Sequence, residues 1–214
     1  MKYHKLVENA KKPNGFWGKM MIKAMNKGHS SLTSWGLEHM NVERTATVLD
    51  IGCGGGKTVD RLCSIVANGK VYGIDYSELS VKSSEKLNSK NILCNKAKIL
   101  QASVSDMPFD DNTFNNITAV ETYYFWPDKE NDVKEVFRVL KQGGTVMLLF
   151  EMLRTDDDPF KWEKVENMLN IKSVTPQEIR AVLESAGFEN INTYTKEGTT
   201  WLCATAQKPK DDEN

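Results

Sequence analysis

The chain has 214 residues, of which 40% are hydrophobic and 27% charged, and its formal net charge is −1. That length suits one α/β domain with a sizeable core, and no low-complexity linker divides it. Charges of both signs are mixed and no long basic run occurs, which speaks against a nucleic-acid partner, and no apolar stretch approaches bilayer length, which speaks against a membrane span.

In chain order, Phe16, Trp17, Met20, Met21, Ala24 and Met25 share one face of a helix. The run Asn26-Lys27-Gly28-His29-Ser30-Ser31 breaks that helix, and Leu32, Trp35, Leu37 and Met40 suggest a second. Residues 1–44 thus form a helical segment distinct from the rest of the chain. From Thr47 strand-like and helix-like stretches alternate, the pattern of a parallel sheet with helices on both faces. Thr47 to Ile51 is the first strand. Lys57 to Ala67 is a helix stopped by Asn68-Gly69. Lys70 to Asp75 is the second strand, and Ser77 caps a helix reaching Asn88. Ile99 to Ala102 and Phe114 to Glu121 are the third and fourth strands. Asp128 to Leu140 is a helix ended by Gly143-Gly144, and Thr145 to Met152 is the fifth strand. Thr175-Pro176-Gln177-Glu178 is a capping box with proline in the first turn, opening a helix that closes at Gly187. Ile191 to Lys196 and Thr200 to Gln207 make a terminal hairpin around Glu197-Gly198-Thr199. The acidic end, residues 209–214, is expected to be disordered.

Cys53, Cys63, Cys94 and Cys203 show no C-x-x-C spacing and no clustering with histidine, so no metal site is expected. The start, Met1-Lys2-Tyr3-His4-Lys5, lacks the apolar core of a signal peptide, and a cytoplasmic location is the expectation.

The stretch with most chemical content is Val48-Leu49-Asp50-Ile51-Gly52-Cys53-Gly54-Gly55-Gly56-Lys57-Thr58. A strand ends in an acid, a glycine-dense turn comes next, and a helix begins. Glycine there permits positive φ and close approach of a ligand, and the helix start offers free N–H groups. Spacing separates the candidate ligands. A phosphate-cradling P-loop needs its first glycine where Ile51 stands, and the dinucleotide fingerprint is met at Gly52 and Gly54 but needs glycine where Lys57 stands. The pattern Asp/Glu-x-Gly-x-Gly-x-Gly is filled by Asp50, Gly52, Gly54 and Gly56.

In that loop, and in the βα order from Thr47 to Gln207, the chain resembles the class I S-adenosylmethionine-dependent methyltransferases. The resemblance implies a Rossmann-like, doubly wound sheet of seven mostly parallel strands with an antiparallel last strand, over residues 45–208. It implies S-adenosylmethionine as cofactor and residues 1–44 as a lid over it. Asp50 would meet the ammonium end, Gly52, Cys53, Gly54 and Gly56 the methionine end, and Asp75 the ribose diol, with Tyr76 flanking adenine. Ser103 and Val104 stand where the family places an adenine-binding Asp and its neighbour; the Asp is absent here. The aromatic run Tyr123-Tyr124-Phe125-Trp126 comes after Glu121, where substrate usually meets the methyl group. About half of these aromatics are expected to line the pocket. Glu121 can hold the cofactor ammonium or accept a proton, Tyr123 can flank the reacting centre, and His29 can act as a base near neutral pH. The expected substrate is a small molecule. A nicotinamide-dependent oxidoreductase and a methyltransferase acting on a macromolecule are the other readings.

Overall fold

The computed structural model describes residues 13–210. Two helices come first, α1 (Gly15–Gly28) and α2 (Ser30–Leu37), joined at His29. The α/β part runs β1 (Thr47–Ile51), α3 (Lys57–Ile65), β2 (Lys70–Asp75), α4 (Glu78–Leu87), α5 (Ser89–Leu93), β3 (Ala97–Gln101) and β4 (Phe114–Val120). It continues with a 3-10 turn (Tyr123–Phe125), α6 (Lys129–Val139), β5 (Leu140–Phe150), α7 (Glu163–Leu169), α8 (Pro176–Ser185), β6 (Glu189–Thr195) and β7 (Leu202–Gln207). The residues predicted to form the acidic tail from 211 on, and those before 13, lie outside the described residues.

The seven strands form one sheet in the order β3-β2-β1-β4-β5-β7-β6. Strands β1 to β5 pair in parallel, and β7 runs antiparallel between β5 and β6. This is the fold expected from the resemblance, with the terminal hairpin supplying the reversed strand. Alternation along β1 sorts the core: Leu49 and Ile51 pack on the α6–α8 side, while Val48 packs with Val59, Leu62 and Cys63 of α3 on the other. The sheet is therefore covered on both faces, which is why its strands read as apolar runs. Helix α2 sits on β5 so closely that a Cβ at Gly36 would lie 2.5 Å from the Leu149 side chain.

Several predicted boundaries shift. The pair Gly143-Gly144 does not end α6; it lies inside β5, with Gly143 at φ +71° and its N–H donated to the Lys208 carbonyl. Leu140 already pairs with Phe114, so α6 passes into β5 with no loop, and the glycines take up the register shift between Phe114 and Asn116. Helix α1 continues through Asn26 to Gly28, where a break was predicted. The third strand starts at Ala97, two residues before the predicted Ile99, because its ladder opens on Val71. Helices α5 and α7 and the 3-10 turn were not read from the sequence; they are too short to show a period.

Candidate active site

The crevice opens at the carboxyl ends of β1, β2 and β4, where strand order reverses about β1. Its floor is the loop after β1. Only one glycine of that loop faces open space. Gly54, at φ +51°, has no other atom closer than 3.9 Å to where a Cβ would stand. A Cβ at Gly52 would strike Thr122 Oγ1 at 2.3 Å, and one at Gly56 would strike Ser84 Oγ at 2.4 Å. Gly56 is thus a packing glycine, with its carbonyl accepting from Asn88 Nδ2 at 3.0 Å, and it does not line the crevice. Cys53 lines it as a small buried side chain; burial raises its thiol well above the ordinary range.

Asp75, at the end of β2, fixes the loop. Its carboxylate accepts the Gly54 N–H at 2.9 Å and the Ser77 N–H at 2.8 Å. The Ser80 hydroxyl also bonds this carboxylate, which leaves acceptor capacity for one ligand hydroxyl. Tyr76 beside it lines the same wall and is 40% exposed. Asp50 is buried at the end of β1 and accepts from Thr118 Oγ1 at 2.7 Å. Burial raises its pKa to about 7, against the opposing Thr118 bond and with a further push from the Asp75 charge. Burial also raises Asp75.

The roof is helix α1 and its junction with α2. Ile22, Met25, Asn26, His29 and Ser30 line the crevice from above. Asn26 Nδ2 donates to the Gly55 carbonyl at 3.4 Å, and Arg61 of α3 donates to the carbonyl and hydroxyl of Ser30 at 2.9 and 3.0 Å. Ser77 Oγ donates to the Pro13 carbonyl at 3.0 Å. Neither Asn26 nor Arg61 stands out in the sequence, because each matters only through a partner about thirty residues away.

At the rim, His29, Glu121 and Glu151 come together, each offering a side-chain nitrogen or oxygen within 4.8 Å of the others. Glu121 comes directly after β4 at φ +57°, a backbone position unusual for a side-chain-bearing residue. Its N–H still donates to the Leu149 carbonyl at 2.9 Å, and its carboxyl accepts from the Glu151 N–H and, at 3.3 Å, from the Tyr124 hydroxyl. Burial raises Glu121 to about 8, with a further push from Glu151. His29 Nε2 lies 3.9 Å from Glu151 Oε2; burial lowers the His29 pKa and Glu151 partly restores it. Glu151 was missed in the sequence. Its signal was positional: it comes after β5 as Glu121 comes after β4, and those strands are neighbours.

Other predicted site residues are placed elsewhere. Ser103 lies in a turn where its Oγ accepts the Ser105 N–H at 3.2 Å, Val104 is buried in the core, and neither lines the crevice. Tyr123 is 3% exposed, packed against Trp126 and Phe150, and does not reach the crevice. The 3-10 turn instead sends Phe125 there, the one member of the aromatic run to line it, where about half were expected.

The crevice is suited to a ligand carrying positive charge. Among the described residues no ion pair reaches Asp50, Asp75 or Glu121, while Lys57 pairs with Asp60 at 3.0 Å and Arg61 is engaged by Ser30. Buried acids without cations are costly, and a cationic ligand offsets that cost.

Comparison with known proteins identifies the family and the fold. A family profile described as a methyltransferase domain matches residues 49–148. An uncharacterized methyltransferase of Bacillus subtilis, YdaC, is 26% identical over 85% of this chain and 93% of its own length. The ubiquinone/menaquinone biosynthesis C-methyltransferase UbiE of Cronobacter sakazakii is 31% identical over 73% of this chain and 72% of its own. The chain spans about 30% to 51% of the length of the sterol and demethylmenaquinone methyltransferases it also matches. Among solved structures, a methyltransferase in complex with the Haloferax volcanii Trm112 activator superposes with a TM-score of 0.75 at 20% identity, covering 90% of this chain and 95% of that one.

Proposed function

We propose that this chain, which belongs to the class I S-adenosylmethionine-dependent methyltransferase family, methylates a small apolar acceptor that enters with an acidic proton. The chain is a methyltransferase by its family; the acceptor class and the residue roles are the proposal. The observation that carries it is the meeting of His29, Glu121 and Glu151 at the rim of the crevice floored by the glycine loop. The named role of the ubiquinone/menaquinone relative, C-methylation, supports an acceptor whose nucleophile must lose a proton.

The residues present fit the methyl donor. Gly54 leaves room where a Cβ would intrude, Asp75 keeps acceptor capacity for a ribose hydroxyl, and Asp50 and Glu121, raised toward and above neutrality with no competing cation among the described residues, ionise more readily beside the donor's positive charge. When bound, the donor supplies an electrophilic methyl group on a sulfonium. The protein supplies position and proton handling. His29, kept neutral by burial, accepts the acceptor's proton at Nε2, and the Glu151 carboxylate stabilises the imidazolium that forms. Glu121, raised to about 8, stays largely protonated at neutral pH and holds the rim closed through its bonds to Glu151 and Tyr124. Phe125 and the roof residues Ile22 and Met25 exclude water and suit an apolar acceptor.

Isothermal calorimetry with S-adenosylhomocysteine and NAD, then turnover on quinol, phenol and amine acceptors, tests this reading. Binding of S-adenosylhomocysteine alone, with methylation of an ionisable quinol or phenol, is the expected result. Methylation of amines only, or of a protein or nucleic acid only, would overturn the acceptor assignment.

A further inference from the structure

Helix α1 has two sides with different chemistry. Its inner residues Ile22, Met25 and Asn26 face the crevice, while Phe16, Trp17 and Met20 on the outside are 71%, 51% and 51% exposed. Phe16 and Trp17 pack edge to face at 5.8 Å, so the three make one apolar cluster within two turns of helix. The other large exposed apolar side chains, such as Leu93 and Phe160, lie in other parts of the chain. Lys19 is exposed within the same two turns. The charge distribution of the sequence points the same way. Residues 1–28 carry seven lysines against one glutamate, so the rest of a chain of net charge −1 is acidic.

We infer that the outer face of α1 docks on an anionic lipid surface. The chemistry is that of an interfacial helix: aromatic and methionine side chains enter the boundary between headgroup and acyl chain, and lysines meet the anionic headgroups. Charge complementarity selects this occupant. A second copy docking through the same face would bring two lysine-rich segments together, and a neutral lipid surface would leave the lysines without partners. No helix of the described residues is long and apolar enough to cross a membrane, so the contact is peripheral. Because the same helix roofs the crevice, docking sets the crevice beside the lipid. The docking itself does not depend on which acceptor is methylated.

Co-sedimentation of the full chain with extruded vesicles tests it, using phosphatidylcholine alone and with an equal share of phosphatidylglycerol. Binding is expected only with phosphatidylglycerol and should weaken as salt rises. The triple variant F16S/W17S/M20S should lower the partition coefficient by on the order of tenfold or more, and K19E by a smaller factor. The S-adenosylhomocysteine-induced rise in melting temperature, kept in both variants, reports intact folding and separates this result from the function reading. Three outcomes would overturn the proposal: no sedimentation with anionic vesicles, equal sedimentation of the triple variant, or a doubled mass in solution that the triple variant abolishes.

Discussion

The floor of the crevice is built within one βαβ unit, whereas its roof belongs to a separate helical segment that meets the floor through the packing of Ile22 and Asn26 on Gly55 and through hydrogen bonds between distant residues. In the floor, Asp75 grips two backbone N–H groups, Gly52 and Gly56 are packed so tightly that no Cβ fits, and Asp50 is bonded to Thr118 beneath. The roof is tied by Asn26 to Gly55, Arg61 to Ser30, and Ser77 to Pro13. The contrast assigns tasks. A rigid floor suits a cofactor of constant shape, since ordering costs nothing further on binding. A roof carried by a separate helical segment suits admission of reactants and exclusion of water.

The sharpest break of that contrast is Gly54→Val. It places a branched side chain in the open space of the floor at positive φ, and S-adenosylhomocysteine affinity should fall on the order of a hundredfold or more by calorimetry. A folded variant that binds normally would remove Gly54 from the cofactor site. Next is His29→Ala at the roof junction. Turnover should fall roughly a hundredfold or more while S-adenosylhomocysteine affinity changes little, the mark of a base acting on acceptor rather than donor. Loss of both together would make His29 a packing residue. Asp75→Ala should weaken donor binding by about 1–3 kcal/mol, since it releases two N–H groups and leaves hydroxyls without an acceptor.

The smallest effect is on stability. Glu121 is raised to about 8 and Asp50 to about 7, both above their unfolded values, so the folded state holds protons that the unfolded state has released. Their stabilising contribution is complete below about pH 4 and is lost as pH rises through 7 and 8. Melting of the ligand-free protein should therefore fall toward pH 8. Glu121→Gln removes one titration and should recover about 1–2 kcal/mol there while leaving stability at pH 5 nearly unchanged. A variant whose melting tracks the same pH curve as the parent would mean that Glu121 ionises freely.

Legibility in the sequence divides along the same line. The floor is local in sequence: Asp50, the spaced glycines and the strand-ending Asp75 sit within one βαβ unit, and their spacing carries the information. Spacing did not say which glycines meet ligand and which meet Ser84 or Thr122, since both uses demand the same residue. The rim was half legible. His29 and Glu121 stood out beside a turn and a strand end, but Glu151 acquires meaning only when β5 pairs with β4. The aromatic run misled because a 3-10 turn distributes its side chains, burying Tyr123 and turning out Phe125. Gly143-Gly144 misled because a helix stop and a strand bulge share one composition.

Asp50 on the floor and Glu121 at the rim, which no ion pair reaches among the described residues, should also couple donor binding to proton release. A ligand that brings positive charge beside Asp50 and Glu121 would drive both toward their ionised forms, so its binding near neutral pH should release hydrogen ions into solution. The heat of S-adenosylmethionine uptake should then differ between phosphate and Tris by the ionisation enthalpy of the buffer multiplied by the protons expelled. S-adenosylhomocysteine, which lacks the sulfonium charge, should expel fewer. The affinity of fresh donor relative to spent donor should then rise as pH passes through 7 and 8.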